Sequence, residues 1–92
     1  MTLLEAVRDL NTFDEVDTIY AAKPWIADSP VIITRQPEEG GPPAEVAAMG
    51  LDRFLQVYVA RDFLDEWTRE LGAVPSNRDQ VARLIRYAEE ET

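Results

Sequence analysis

Leu3, Leu4, Val7 and Leu10 recur at helical spacing and line one face of the first segment. Thr2 stands three residues before Glu5, the spacing at which each side chain can reach the other's backbone amide, so a helix is predicted from Leu3 with Asn11 as its C-terminal cap. The polar connector Asp14-Glu15-Val16-Asp17 follows, and Thr18-Ile19-Tyr20-Ala21-Ala22-Lys23 then reads as a strand stopped by Pro24. Asp28-Ser29-Pro30 marks a turn. Val31-Ile32-Ile33-Thr34-Arg35 has three adjacent β-branched apolar residues, which predicts a second strand, antiparallel to the first.

Gln36-Pro37-Glu38-Glu39-Gly40-Gly41-Pro42 combines turn-forming residues with two adjacent carboxylates and is predicted to be an exposed loop. Pro43 suits the first position of a short helix running to Met49 and closed by Gly50. From Arg53 to Val59 the pattern alternates, with Leu55, Val57 and Val59 on one side and Phe54, Gln56 and Tyr58 on the other. A third strand is expected there, although one long helix over residues 45–71 competes with it. Phe63, Leu64, Trp67 and Leu71 resume helical spacing, with Asp62 and Asp65 as cap and first-turn acid and Gly72 as terminator. Ser76-Asn77-Arg78-Asp79 opens a last helix with Val81, Leu84, Ile85 and Ala88 on its buried stripe and Glu89-Glu90-Glu91 at a fraying end. The expected fold is one α+β domain over residues 1–92, ordered α-β-β-α(short)-β-α-α. A small three-stranded antiparallel sheet carries helices packed on one face, because a bare sheet of that size cannot bury its apolar side.

Composition narrows the chemistry. The 92 residues include no His and no Cys, which removes the usual ligands for zinc and haem, the thiol nucleophile and the common neutral-pH base. No enzyme activity and no cofactor are expected. Ser29 and Ser76 sit in turn and cap contexts without a histidine to activate them. Asp62 with Asp65 or Glu66, and Glu38 with Glu39, are explained by capping and solvation rather than by paired acid–base chemistry. Gly40-Gly41 precedes Pro42-Pro43 with no Gly-Lys-Ser/Thr element, so it is a turn and not a phosphate cradle. Asp14 to Asp17 lacks the spacing of a calcium loop, and no metal site is expected.

Charge then bears on partners. Eighteen acids against nine bases give a formal net charge of -9, of which residues 1–46 carry -6 and residues 47–92 carry -3. Such a surface repels phosphate backbones and anionic membranes, so neither nucleic acid nor membrane is expected as a partner. A basic protein is the favoured partner, since acidity steers its encounter. Met1 to Asp9 lacks the basic flank and apolar run of a secretory signal, and a cytoplasmic location is expected. Trp25 stands on an otherwise polar connection beside Asp28 and has the character of an interface anchor. Trp25, Asp28, Glu38 and Glu39 therefore form the candidate partner-binding set, and Trp67 is assigned to the core. Tyr20, Phe54 and Tyr58 are expected to share the uncovered sheet face, with Phe54 and Tyr58 as a candidate self-association patch.

The stretch Gly50-Leu51-Asp52-Arg53-Phe54-Leu55-Gln56-Val57-Tyr58-Val59-Ala60-Arg61-Asp62-Phe63-Leu64-Asp65-Glu66-Trp67, after the Leu3-Leu4-Glu5 helix and the Ile19-Tyr20 strand, resembles small bacterial proteins of about this length. Some of these are similar to immunity proteins that neutralise antibacterial toxins. The resemblance implies an architecture and an association with toxin neutralisation, and it carries over no binding residue. The leading expectation is an immunity-like inhibitor that covers a basic toxin or nuclease. The alternatives are a self-associating homodimeric accessory domain and a phage-type inhibitor that imitates DNA, although eight arginines spread along the chain interrupt any ridge of carboxylates.

Overall fold

A computed structural model describes residues 1–91. Its elements are α1 (Leu3–Arg8), a 3-10 turn (Leu10–Thr12), β1 (Thr18–Ala22), β2 (Val31–Thr34), α2 (Ala44–Ala48), β3 (Leu51–Gln56), α3 (Val57–Leu71) and α4 (Asn77–Glu91). The order matches the one predicted from the pattern, and the fold is α+β. Thr2 and Glu5 form the reciprocal capping box: the Thr2 amide donates to Glu5 Oε1 at 2.8 Å and the Glu5 amide to Thr2 Oγ1 at 3.2 Å. The helix ends earlier than expected, with Asp9 rather than Asn11 as its cap, because the chain tightens into the 3-10 turn that buries Leu10.

The sheet order is β2-β1-β3, with both pairings antiparallel. Central β1 is buried on both faces, which suits its run Thr18-Ile19-Tyr20-Ala21. Ile19 and Ala21 join the main core with Leu3, Val7, Leu64, Val81 and Leu84, supplied by α1, α3 and α4. Tyr20 points the other way, into a smaller cluster with Val46 and Leu51. Helices α1, α3 and α4 thus share one face as predicted, while α2 covers the other through Val46. No shared exposed sheet face is left: Tyr20 and Phe54 are buried, and Tyr58 is an exposed residue of α3.

The third strand departs most from expectation. Ile19 pairs with Leu55 and Tyr20 with Arg53, so Phe54 is an extra residue in β3, a bulge that turns Phe54 and Leu55 both into the main core. Strict alternation fails at that point. The strand then stops at Gln56 instead of Val59, and α3 starts at Val57 instead of near Asp62, which leaves Asp62 and Asp65 in mid-helix rather than at its cap. Gln56 makes no side-chain cap. Backbone supplies the cap: the Val57 amide donates to the Asp17 carbonyl at 2.9 Å and the Tyr58 amide to the Glu15 carbonyl at 3.2 Å. Two of the four orphan donors of the helix end are thereby satisfied by the acidic connector. Arg35 lies 3.9 Å from Asp14 and 3.6 Å from Asp17, and Arg61 donates to the carbonyls of Leu10 and Phe13, so this connector region is pinned on both sides.

Smaller differences have local causes. Pro43 is the cap of α2 rather than its first residue. Gly72 ends α3 with φ of 70°, the left-handed geometry that a Cβ disfavours. Ser76 Oγ accepts from the Asp79 amide at 3.1 Å at the start of α4, and the helix continues through Glu89 and Glu90 to Glu91, held in part by Arg86 donating to Glu90 at 3.3 Å. Asn77 donates to the Leu4 carbonyl at 3.2 Å and ties α4 to α1. Among the described residues, no helix is long and apolar enough to cross a membrane.

Candidate functional site

The sequence-derived set does not assemble. Trp25 is only 7% exposed; its indole N–H donates to the Ala21 carbonyl at 3.2 Å, and its ring meets Phe54 edge-on at 4.9 Å. It is a core residue, with Lys23 5.0 Å above the ring. The surface neighbour on that connection is Ile26, while Ser29 caps the turn by accepting from the Ile26 amide at 2.9 Å. Asp28 is exposed just before β2, whereas Glu38 and Glu39 are exposed beyond its far end. These acids therefore flank a strand instead of ringing an aromatic. Phe54, under Trp25, offers nothing to a second copy, and of the self-association pair only Tyr58 reaches the surface.

A different constellation forms between α3 and α4. With α3 running from Val57, its Val57, Ala60 and Leu64 face the core, and Phe63 and Trp67 fall on the next stripe, half-buried. Asp62, Glu66 and Glu70 lie beyond them at intervals of four residues, on one line along the helix. Opposite, α4 contributes Arg83 and Tyr87. Phe63 and Tyr87 stack with centroids 4.2 Å apart, and the Arg83 guanidinium covers Phe63 at 4.8 Å. Together these side chains line a groove of about 460 Å³ with an aromatic floor and a carboxylate rim. Trp67 and Arg83 also line an adjoining depression walled by Leu71, Val74 and Pro75. There Leu71 is 51% exposed and Val74 84% exposed, large apolar surface left to water.

Position along an aromatic groove, rather than ion pairing, sets this rim apart from the other acids. Asp9 is bonded to Arg8, Asp14 and Asp17 approach Arg35, and Glu90 approaches Arg86. Asp62, Glu66 and Glu70 have no ion pair among the described residues, a condition they share with Glu15, Asp28, Glu38, Glu39, Glu45, Asp52 and Asp65, but only these three line the groove beside Phe63, Trp67 and Tyr87. Like charges four residues apart on a helix each cost about 0.2–0.5 kcal/mol, so the rim is held against its own repulsion. Arg83 is the one cation lining the groove, and its Nη1 is shielded from solvent without a hydrogen-bond partner among the described residues. The carboxyls of Glu5 and Asp9, both held below their ordinary values, lie elsewhere. Glu5 is lowered first by its bond from the Thr2 backbone, and Asp9 by its bond from Arg8.

Compared with protein-family models, with curated proteins and with solved structures, the chain matches none. The missed residues Phe63, Trp67, Glu66, Glu70, Arg83 and Tyr87 carried a readable signal, since acids and aromatics repeat in step along residues 62–70. That step shows two adjacent stripes of one helix once α3 is known to begin before Asp62.

Proposed function

We propose that this domain is a non-catalytic protein-binding module that captures a basic protein partner in the α3–α4 groove, in the manner of an immunity-like inhibitor. The observation that carries the reading is the juxtaposition of a line of carboxylates, Asp62, Glu66 and Glu70, with an aromatic floor of Phe63, Trp67 and Tyr87. Exposed ion pairs contribute about 0–1 kcal/mol each, so the carboxylates act chiefly on encounter rate and choice of partner. Covering the aromatic floor and the half-buried Trp67 supplies most of the affinity. Inhibition would be steric, by occupying the cationic surface on which the partner works. The absence of His and Cys supports a role without bond-making chemistry, and the absence of Cys fits a cytoplasmic setting.

The reading is tested with a short lysine-rich peptide at low salt. The triple variant Asp62→Asn, Glu66→Gln, Glu70→Gln is expected to lose most of the affinity, whereas Asp28→Asn, Glu38→Gln, Glu39→Gln, which removes the same charge, keeps it. Equal losses in the two variants would mean that net charge alone attracts the peptide and would overturn the assignment of the groove.

A further inference from the structure

Resting on that reading, the geometry points to the kind of segment that fills the groove: we infer that it is a basic amphipathic helix, lying along α3 and α4 with a large aliphatic side chain seated at the Leu71–Val74 end. Four observations converge on this occupant.

The groove is walled by two helices, whose backbone groups are already paired along their length. An extended peptide would find no strand edge there to bond its own amides, whereas a helix satisfies its backbone internally. The rim and floor also lie side by side rather than face to face. A helix presents its charged and apolar stripes at adjacent angles, but a strand turns successive side chains to opposite sides.

Exposed aliphatic surface is concentrated at one end of the groove and the line of carboxylates at the other. Asp62, Glu66 and Glu70 occupy the stretch floored by Phe63 and Tyr87, where Arg83 also lies, and beyond Glu70 the lining passes to exposed Leu71 and Val74 and to Pro75, with Asp79 and Arg86 beside them. The partner's cations therefore belong beside the carboxylates and its largest aliphatic residue belongs past them. From Tyr58 to Leu71, α3 rises about 20 Å, which matches a partner helix of about 13 residues. A second copy of this chain does not meet the description, because its own line of carboxylates would face like charge.

The probe is a synthetic Lys/Leu peptide of about 14 residues with leucines at helical spacing, beside a scrambled peptide of the same composition. Anisotropy of the labelled peptides at low salt gives both affinities. The patterned peptide is expected to bind the wild-type protein at least about tenfold more tightly than the scrambled one. Leu71→Ser with Val74→Ser, both exposed, is expected to remove that advantage, and Met49→Ser, an equally exposed apolar position outside the groove, to leave it. Equal affinity of the two peptides, both still dependent on Asp62, Glu66 and Glu70, would overturn the helical occupant and leave capture of a basic partner standing. Failure of both peptides to bind would overturn both readings. An undiminished advantage in the Leu71→Ser, Val74→Ser protein would overturn the seating of the aliphatic side chain.

Discussion

Trp25 shows how one side chain is committed by its polar atom as much as by its ring. Its N–H reaches the Ala21 carbonyl four residues back, which lets the indole fold under the turn and meet Phe54 edge-on. Trp25→Ala is expected to destabilise the fold by about 3–5 kcal/mol, and Trp25→Phe by less, as read from urea midpoints. Tyr20 presents the opposite case. Its hydroxyl is buried beneath α2 with no partner among the described residues, so Tyr20→Phe is expected to be neutral or stabilising. A loss of more than about 1 kcal/mol in the same assay would show that the hydroxyl has a bonding role. Trp25 was legible as a residue out of keeping with its polar neighbours. What set its orientation was the Ala21 carbonyl and the bulged Phe54, neither of which the local pattern displays.

Glu5 links a residue to pH. Its carboxylate accepts from the Thr2 amide, which holds its folded-state value below the ordinary 4.5. A carboxyl lowered on folding contributes stability that is present above its unfolded value and is lost as the pH falls through the folded one. Between about pH 5 and about pH 3, the melting temperature of the wild-type protein is expected to fall more steeply than that of Glu5→Gln. Parallel curves would show that the capping box adds no pH dependence.

At the scale of elements, side-chain caps and terminating glycines were legible and tertiary caps were not. Thr2 with Glu5, Ser76 with Asp79, and Gly72 act within a few residues of their own sequence, and each stands where the pattern placed it. Gly72 has φ of 70° and nothing within 4 Å of the position a Cβ would take, so Gly72→Ala meets only the backbone penalty. About 1 kcal/mol of lost stability is expected in urea unfolding, and a much larger loss would point to packing. The start of α3 depends instead on carbonyls of Glu15 and Asp17, some forty residues earlier in the chain, and β-branched Val57 and Val59 gave the segment a strand-like appearance. The bulge at Phe54 likewise exists because two apolar residues both enter one core. Missing these two features shifted the predicted helix by five residues, from Val57 to Asp62. It also set Asp62 aside as a cap, apart from the line that it forms with Glu66 and Glu70 in α3.

Across the whole molecule, the setting of each charge proved more informative than the charge count. The N-terminal half is the more acidic by formal charge, but three of its acids meet arginines and its Trp25 is core. The less acidic half holds the one line of carboxylates that borders a groove of half-buried aromatics among the described residues. On the proposed reading, a basic partner lands in the α3–α4 groove. The most direct test is amide chemical-shift mapping of the folded protein during titration with the patterned Lys/Leu peptide at low salt. The account predicts saturable shifts concentrated on residues 58–74 and 83–87. Shifts concentrated on residues 25–39, or spread evenly over the acidic surface, would contradict it.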